Sequence, residues 1–103
     1  MKLLIVLSIQ EYREQVASLL QRAGVKRFSA MNITGHKKSE SNIGWFAANS
    51  GNAKTNSLML FSFTSQEVSN QVIESINSYN TETDNPFPIH AFVVDVENFS
   101  KII

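Results

Sequence analysis

The chain has 103 residues, a formal net charge of zero, no cysteine and 43% hydrophobic residues. A balanced charge gives no general attraction to nucleic acid, and the lack of cysteine excludes disulfides, thiolate metal sites and a cysteine nucleophile. The length and composition predict one ordered domain spanning residues 1–103.

The first apolar run, residues 3–7, superficially resembles the start of a signal peptide. It contains about five apolar residues before the charged Glu11, whereas a signal peptide needs roughly 7–15 and a membrane span about 18. We therefore expect a cytoplasmic protein without membrane insertion.

Residues 2–7 predict a first strand, central in a sheet or buried on both faces. Ser8 and Glu11 have the spacing of a capping box, which predicts a helix over residues 10–23. Gly24 stands where a helix-terminating glycine belongs. The apolar face of this helix consists of Tyr12, Val16, Leu19, Leu20 and Ala23.

Residues 26–34 alternate as in a half-buried strand, which Gly35 ends. Residues 36–56 lack any periodicity and predict a long flexible loop, unusual in so short a chain and typical of binding segments. Its aromatic residues, Trp45 and Phe46, indicate either an anchor for a partner or ligand, or a segment that packs back on the domain or starts a short extra strand.

The second half repeats this organisation. Residues 58–63 predict a strand, and Thr64 with Glu67 predicts a second capping box before another helix. Residues 80–88 indicate a polar turn and residues 89–96 a fourth strand. The apolar face of the second helix consists of Val68, Val72, Ile76 and Tyr79.

A short sequence pattern occurs at both strand–helix junctions. The pattern that begins at Ser8 returns at Thr64 with Gln, Glu, Gln and Val at the same spacing. The complete order, β-α-β, loop, β-α-β, predicts a ferredoxin-like α+β sandwich. Such a fold has a four-stranded antiparallel sheet with two helices on one face.

Few residues are candidates for catalysis, metal binding or phosphate binding. His36 and His90 lack a carboxylate at a spacing that indicates a catalytic triad, and two histidines make a weak metal site. The run from His36 to Lys38 indicates either a phosphate contact or a solvated charge cluster. Asp95, in an apolar strand, indicates an outward-facing position or an ion pair at a subunit contact.

Several of these features resemble the nitrogen-regulatory P-II and P-II-like proteins. The matching features are Ala23-Gly24-Val25 at the helix end, Gly35 before the long loop, and Phe92-Val93-Val94-Asp95-Val96 in the last strand. The resemblance implies a non-enzymatic regulatory protein that forms a homotrimer. It also implies an adenine nucleotide bound between subunits and a protein target controlled through residues 36–56.

The same resemblance assigns roles to individual residues. Trp45 and Phe46 are assigned to partner binding. Ligand contacts are assigned to Gly35, His36, Lys37, Lys38, Asn85, Phe87 and Lys101.

One stretch departs from the P-II pattern. P-II proteins carry a loop of the form Thr-Gly-x-x-Gly-x-Gly-Lys before the last strand, whereas residues 83–90 contain neither the glycines nor the lysine. A divergent P-II-like protein is therefore the leading hypothesis. The alternatives are a CutA-like or P-II-like metal-tolerance protein with His36 and His90 as ligands, and a small dimeric enzyme of ferredoxin-like fold.

Overall fold

The computed structural model describes residues 1–35 and 55–101, which contain four strands and two α-helices in the predicted order. A short 3₁₀ turn, Gln10–Tyr12, joins the first strand to the first helix. The fold is the predicted ferredoxin-like α+β sandwich. The elements are β1 (Lys2–Ile9), α1 (Arg13–Arg22), β2 (Ser29–Gly35), β3 (Thr55–Thr64), α2 (Gln66–Thr83) and β4 (His90–Asp95).

The four strands form one antiparallel sheet in the order β2-β3-β1-β4. The apolar strand β1 is central, as its composition predicted, and β2 and β4 are edge strands. β1 and β2 end where β3 and β4 begin, and we call this end of the sheet the Gly35 end. The other end, where β1 and β2 begin, is the Lys2 end.

One face of the sheet, the helix face, packs against α1 and α2. Alternate residues of the two central strands point toward the helices and are almost fully buried, because side chains on a strand alternate between its faces. The predicted apolar faces of both helices pack against them. The core of this packing consists of Leu4, Val6, Leu58, Leu60, Val16, Leu19, Leu20, Val72 and Ile76.

The opposite face of the sheet, which we call the open face, is also apolar. No described element covers it, and several of its large side chains are exposed. Cross-strand neighbours on this face form continuous apolar rows, such as Leu3 with Phe63 and Val94. The exposed members are Met31, Phe63, Phe92 and Val94.

The predicted capping box at the start of α1 is wrong. Ser8 is buried within β1, where its hydroxyl donates to the Ile9 carbonyl oxygen at 2.8 Å. The chain instead enters α1 through the 3₁₀ turn, and Tyr12 at the N-cap gives no side-chain cap. α1 therefore begins at Arg13, three residues later than expected.

The second capping box is displaced by one residue. Ser65, not Thr64, is the N-cap of α2, and its hydroxyl accepts a hydrogen bond from the Val68 N–H at 3.2 Å. The Thr64 hydroxyl instead lies 2.6 Å from that of the buried Ser69. The repeated sequence pattern thus marks two strand–helix junctions whose helix N-caps are different.

The end of α1 agrees with the prediction. Gly24 has a φ of 104°, a value that favours glycine because a Cβ is strained there. Its N–H donates to the Gln21 carbonyl at 3.1 Å, and the N–H of Val25 donates to the Leu20 carbonyl at 2.9 Å. These two bonds form a Schellman motif, which terminates the helix and directs Val25 into the core.

Two further boundaries differ from expectation. β2 begins at Ser29 and its residues 29–32 are exposed, because an edge strand lies beside the helix layer. The prediction of a half-buried strand over residues 26–34 is wrong in this respect. α2 continues through residues 80–83, which were expected to form a turn, and it ends at Thr83 with Asp84 as the C-cap at a φ of 47°. Among the described helices, none combines the length and apolarity needed to cross a membrane.

Candidate functional site

The candidate ligand residues that the structure describes lie mainly at the Gly35 end of the sheet. Gly35 is buried at the last position of β2, opposite Thr55 of β3. Asn85 and Phe87 lie in the turn between α2 and β4, and β4 begins at this same end. Sequence reasoning placed these residues in the correct elements.

The turn from Asp84 to Ile89 is held by the side chain of Asn80, in the last part of α2. The Asn80 amide donates to the Ile89 carbonyl at 2.8 Å and accepts from the Ile89 N–H at 2.9 Å. This pair reproduces the two hydrogen bonds that a neighbouring strand residue would form. Asn80 therefore sets the position from which β4 enters the sheet.

Tyr12 holds the same turn from the other side. Its hydroxyl donates to Asn85 Oδ1 at 2.6 Å, and its ring packs edge-on against Tyr79 with a centroid separation of 6.5 Å. The aromatic pair anchors the turn to both helices. Sequence reasoning assigned Tyr12 only to the apolar helix face, although a partly buried tyrosine hydroxyl requires a polar partner and could have signalled this contact.

Phe87 is the exposed part of this turn. Its N–H donates to Asn85 Oδ1 at 2.9 Å, which makes a local Asx turn. Proline precedes and follows it, so the backbone on both sides has restricted φ values. Phe87 is 40% exposed, and it therefore presents an apolar surface from a constrained backbone.

Gly35 and the Asp84–Ile89 turn do not form one pocket within a chain. They lie at the same end of the sheet but on opposite edge strands, with β3 and β1 between them. Three steps between neighbouring strands separate β2 from β4 by about 14 Å. A ligand that contacts both elements of one chain would have to span this distance.

Lys101 is not brought to this end of the described structure by a regular element. β4 runs away from the Gly35 end and finishes at Asp95, beside the first residue of β1. Residues 96–101 follow without helix or strand, and Lys101 is exposed. Its predicted contact with a ligand stays a prediction.

The remaining candidates, His36, Lys37, Lys38, Trp45 and Phe46, lie outside the described residues. The alternatives stated for them above therefore stay open, including the choice between a phosphate contact and a solvated charge cluster.

Within residues 1–35 and 55–101, two titratable groups have altered pKa values. Burial lowers the pKa of His90, because the charged imidazolium loses solvation at the start of β4. The Lys2 ammonium lowers the pKa of Asp95, chiefly by donating a hydrogen bond to its carboxylate. Asp95 thus faces solvent and pairs with a lysine of its own chain, a partner that sequence reasoning did not identify.

Two grooves lie elsewhere on the described part of the chain, and their lining includes none of Gly35, Asn85, Phe87 and Lys101. One groove of about 430 Å³ lies beside α1 and α2 and is lined by Arg22, Glu74 and Tyr79 among others. A second, of about 440 Å³, lies near the Lys2 end between Lys26 and Phe63. Across residues 1–35 and 55–101, no three His, Asp or Glu side chains group as metal ligands do.

Comparison with known proteins identifies the fold. The chain matches no protein-family model and no curated protein. It is similar in structure to CPII, a nitrogen regulatory PII-like protein from Thiomonas intermedia K12, solved with ADP, AMP and bicarbonate. The identity is 18%, the match covers 98% of this chain and 94% of that chain, and the TM-score is 0.68.

Two further structures agree with this result. The apo form of CPII from the same organism is 19% identical over 92% of this chain and 87% of that chain, with a TM-score of 0.67. A signaling protein described as PII-like, from Thermus thermophilus, is 14% identical over 89% and 82% of the two chains, with a TM-score of 0.63. The chain therefore has the fold of the P-II-like proteins, which confirms at the level of structure the resemblance found in its sequence.

Proposed function

We propose that this chain is a non-enzymatic P-II-like regulator that binds an adenine nucleotide between the subunits of a homotrimer. The ligand controls a protein partner through residues 36–56, with Trp45 and Phe46 as the partner contacts. The proposed ligand contacts are Gly35, His36, Lys37, Lys38, Asn85, Phe87 and Lys101.

The observation that carries this proposal is the near-complete structural match to a nucleotide-bound protein. The match to CPII includes 98% of this chain, so it extends across the whole βαββαβ arrangement and not only one motif. CPII was solved with ADP and AMP, and these are accordingly the first ligands to test.

The open face supports the trimer. Monomeric proteins rarely expose large continuous apolar patches, and this face carries the exposed Met31, Phe63, Phe92 and Val94 on three strands of one sheet. A cyclic assembly that buries this face joins one edge of each sheet to the opposite edge of the next. Such an arrangement provides a place where Gly35 of one copy and Phe87 of another can share a ligand.

Light scattering and calorimetry together test the assembly and the ligand. We expect a particle of three times the 11.5 kDa of one chain, and heat of binding with ADP or AMP at up to one site per subunit interface. A monomer that binds neither nucleotide contradicts the proposal. A trimer without nucleotide binding retains the assembly and removes the ligand.

The role of residues 36–56 requires a separate experiment. A variant in which residues 37–53 are replaced by a short glycine–serine linker is expected to remain trimeric, since the four strands are retained. A protein that co-purifies with the intact chain in a nucleotide-dependent manner is expected to be lost with this variant. Retention of such a protein by the shortened chain contradicts the assignment of partner binding to this segment.

A further inference from the structure

The backbone donors of the Asp84–Ile89 turn are all engaged within the chain. The N–H of Asp84 donates to the Thr81 carbonyl and that of Asn85 to the Asn80 carbonyl, each at 3.4 Å. The N–H of Phe87 donates to Asn85 Oδ1, and that of Ile89 to Asn80 Oδ1. The two remaining positions are prolines, which have no N–H.

A loop that binds phosphate needs the opposite arrangement. Glycine-rich loops hold phosphate with several backbone N–H groups that point outward and are not bonded within the protein. The Asp84–Ile89 turn offers no such group, and it contains no lysine or arginine. Its one ionised side chain, that of the exposed Asp84, repels an anion.

One polar donor in the turn has no bond within the described structure. The side-chain amide nitrogen of Asn85 is buried and lacks an acceptor there. The oxygen of the same amide accepts from the Tyr12 hydroxyl and from the Phe87 N–H. Because the nitrogen is buried, it is not presented to a phosphate at the surface of the chain.

What the turn does offer a ligand is the Phe87 ring. The residue is 40% exposed, and the Asx turn and the flanking prolines restrict its backbone. An aromatic ring presented in this way fits the face of a purine base, which stacks without needing hydrogen bonds.

We propose that the Asp84–Ile89 turn recognises the base of the ligand by stacking with Phe87 and makes no hydrogen bond to its phosphates. This inference rests on the proposed function, and it refines that function by assigning the turn to the base. The contribution of the turn is then the same for a nucleoside as for its mono-, di- and triphosphate. Tyr12 and Asn80 act as positioning residues for the ring.

The test compares four ligands, adenosine, AMP, ADP and ATP, on the intact protein and its Phe87→Ala variant by calorimetry. We expect the substitution to weaken binding about tenfold, and by the same factor for each of the four. Phe87→Tyr keeps the ring and is expected to bind as the native chain does. Phe99→Ala, which removes another exposed phenylalanine outside the turn, is the matched control and is expected to change nothing.

Three results overturn the proposal in distinguishable ways. A loss that grows with the number of phosphates places the turn at the phosphates, and an unchanged affinity in Phe87→Ala removes its contact with the ligand. Both leave the proposed trimer and its nucleotide binding intact, although the second removes Phe87 from the proposed ligand contacts. If none of the four ligands binds the native trimer, the nucleotide part of the proposed function fails, and this inference fails with it.

Amide hydrogen exchange gives a second measurement on the native chain. The N–H groups of Phe87 and Ile89 are expected to exchange slowly without any ligand, because both are bonded to asparagine side chains. ATP and adenosine are expected to alter their protection equally. Rapid exchange in the absence of ligand, followed by protection with ATP alone, contradicts the proposal.

Discussion

Leu60 and Phe63 lie three residues apart on β3, and they point to opposite faces of the sheet. Leu60, on the helix face, is 1% exposed, whereas Phe63, on the open face, is 58% exposed. Both faces are apolar, but the helices cover only one of them. The comparison shows that an apolar strand residue need not be buried by its own chain, and that the second face is available for association.

The largest effect is expected when the helix face is disturbed. Leu60→Ala removes a buried side chain and leaves a cavity, which costs about 2–5 kcal/mol of the free energy of unfolding. Urea unfolding at several protein concentrations measures this loss, which is expected to persist at all of them. The matched variant Phe63→Ala is expected to lower stability only through association, so its effect depends on concentration. Equal, concentration-independent losses contradict the distinction between the two faces.

A charge on the open face tests the association directly. Phe92 is 44% exposed on the open face of the edge strand β4, and Phe92→Lys places an ammonium group in the proposed subunit contact. We expect light scattering to report a monomer while far-ultraviolet circular dichroism stays unchanged. Phe99→Lys is the control, since Phe99 is 58% exposed but lies beyond β4. Assembly of the Phe92→Lys variant at native affinity contradicts the role of this face.

A smaller effect is expected at the start of α2, one of the two helices that pack on the helix face. Ser65→Ala removes the acceptor for the Val68 N–H and is expected to lower the free energy of unfolding by about 1 kcal/mol. Ser65→Asp keeps an acceptor and is expected to retain most of the stability. A loss in Glu67→Ala comparable to that in Ser65→Ala would favour the capping box expected from the sequence.

The smallest effect concerns the Lys2–Asp95 ion pair at the Lys2 end of the sheet. Lys2 lowers the folded-state pKa of Asp95, so the pair stabilises the fold above the unfolded-state pKa and loses this effect as the pH falls through the folded-state pKa. Lys2→Met is expected to return the pKa of Asp95 toward its ordinary value in an NMR titration. The change in stability is expected to be slight, because Asp95 is exposed. An unchanged pKa in this variant contradicts the assigned cause.

The sequence predicted the fold well because its signals are local. Each signal indicates the backbone conformation of only a few residues. Examples are the apolar run of β1, the helical spacing after Tyr12 and the glycine at position 24. The sequence pattern repeated at Ser8 and Thr64 was less informative about the helix caps. Its two copies predicted the same cap, yet Ser8 extends β1 and Ser65 caps α2, since competing contacts decide which hydroxyl meets a helix N–H.

The candidate site was predictable only in part. Gly35, Asn85 and Phe87 were singled out by resemblance, and the structure places them at one end of the sheet. Tyr12 and Asn80 were missed as residues of this site. The Tyr12–Asn85 contact joins positions 73 residues apart, and no periodicity in the sequence reports such a separation.

By itself, the sequence determined the order of the strands and helices, the apolar faces that form the core and the absence of a glycine-rich phosphate loop. Only the tertiary structure decided which face of the sheet the helices cover. It also decided that every N–H group of the Asp84–Ile89 turn is bonded within the chain. The reason is physical: local backbone preferences act over a few residues, whereas burial and hydrogen-bond partners depend on segments that meet only in the folded chain.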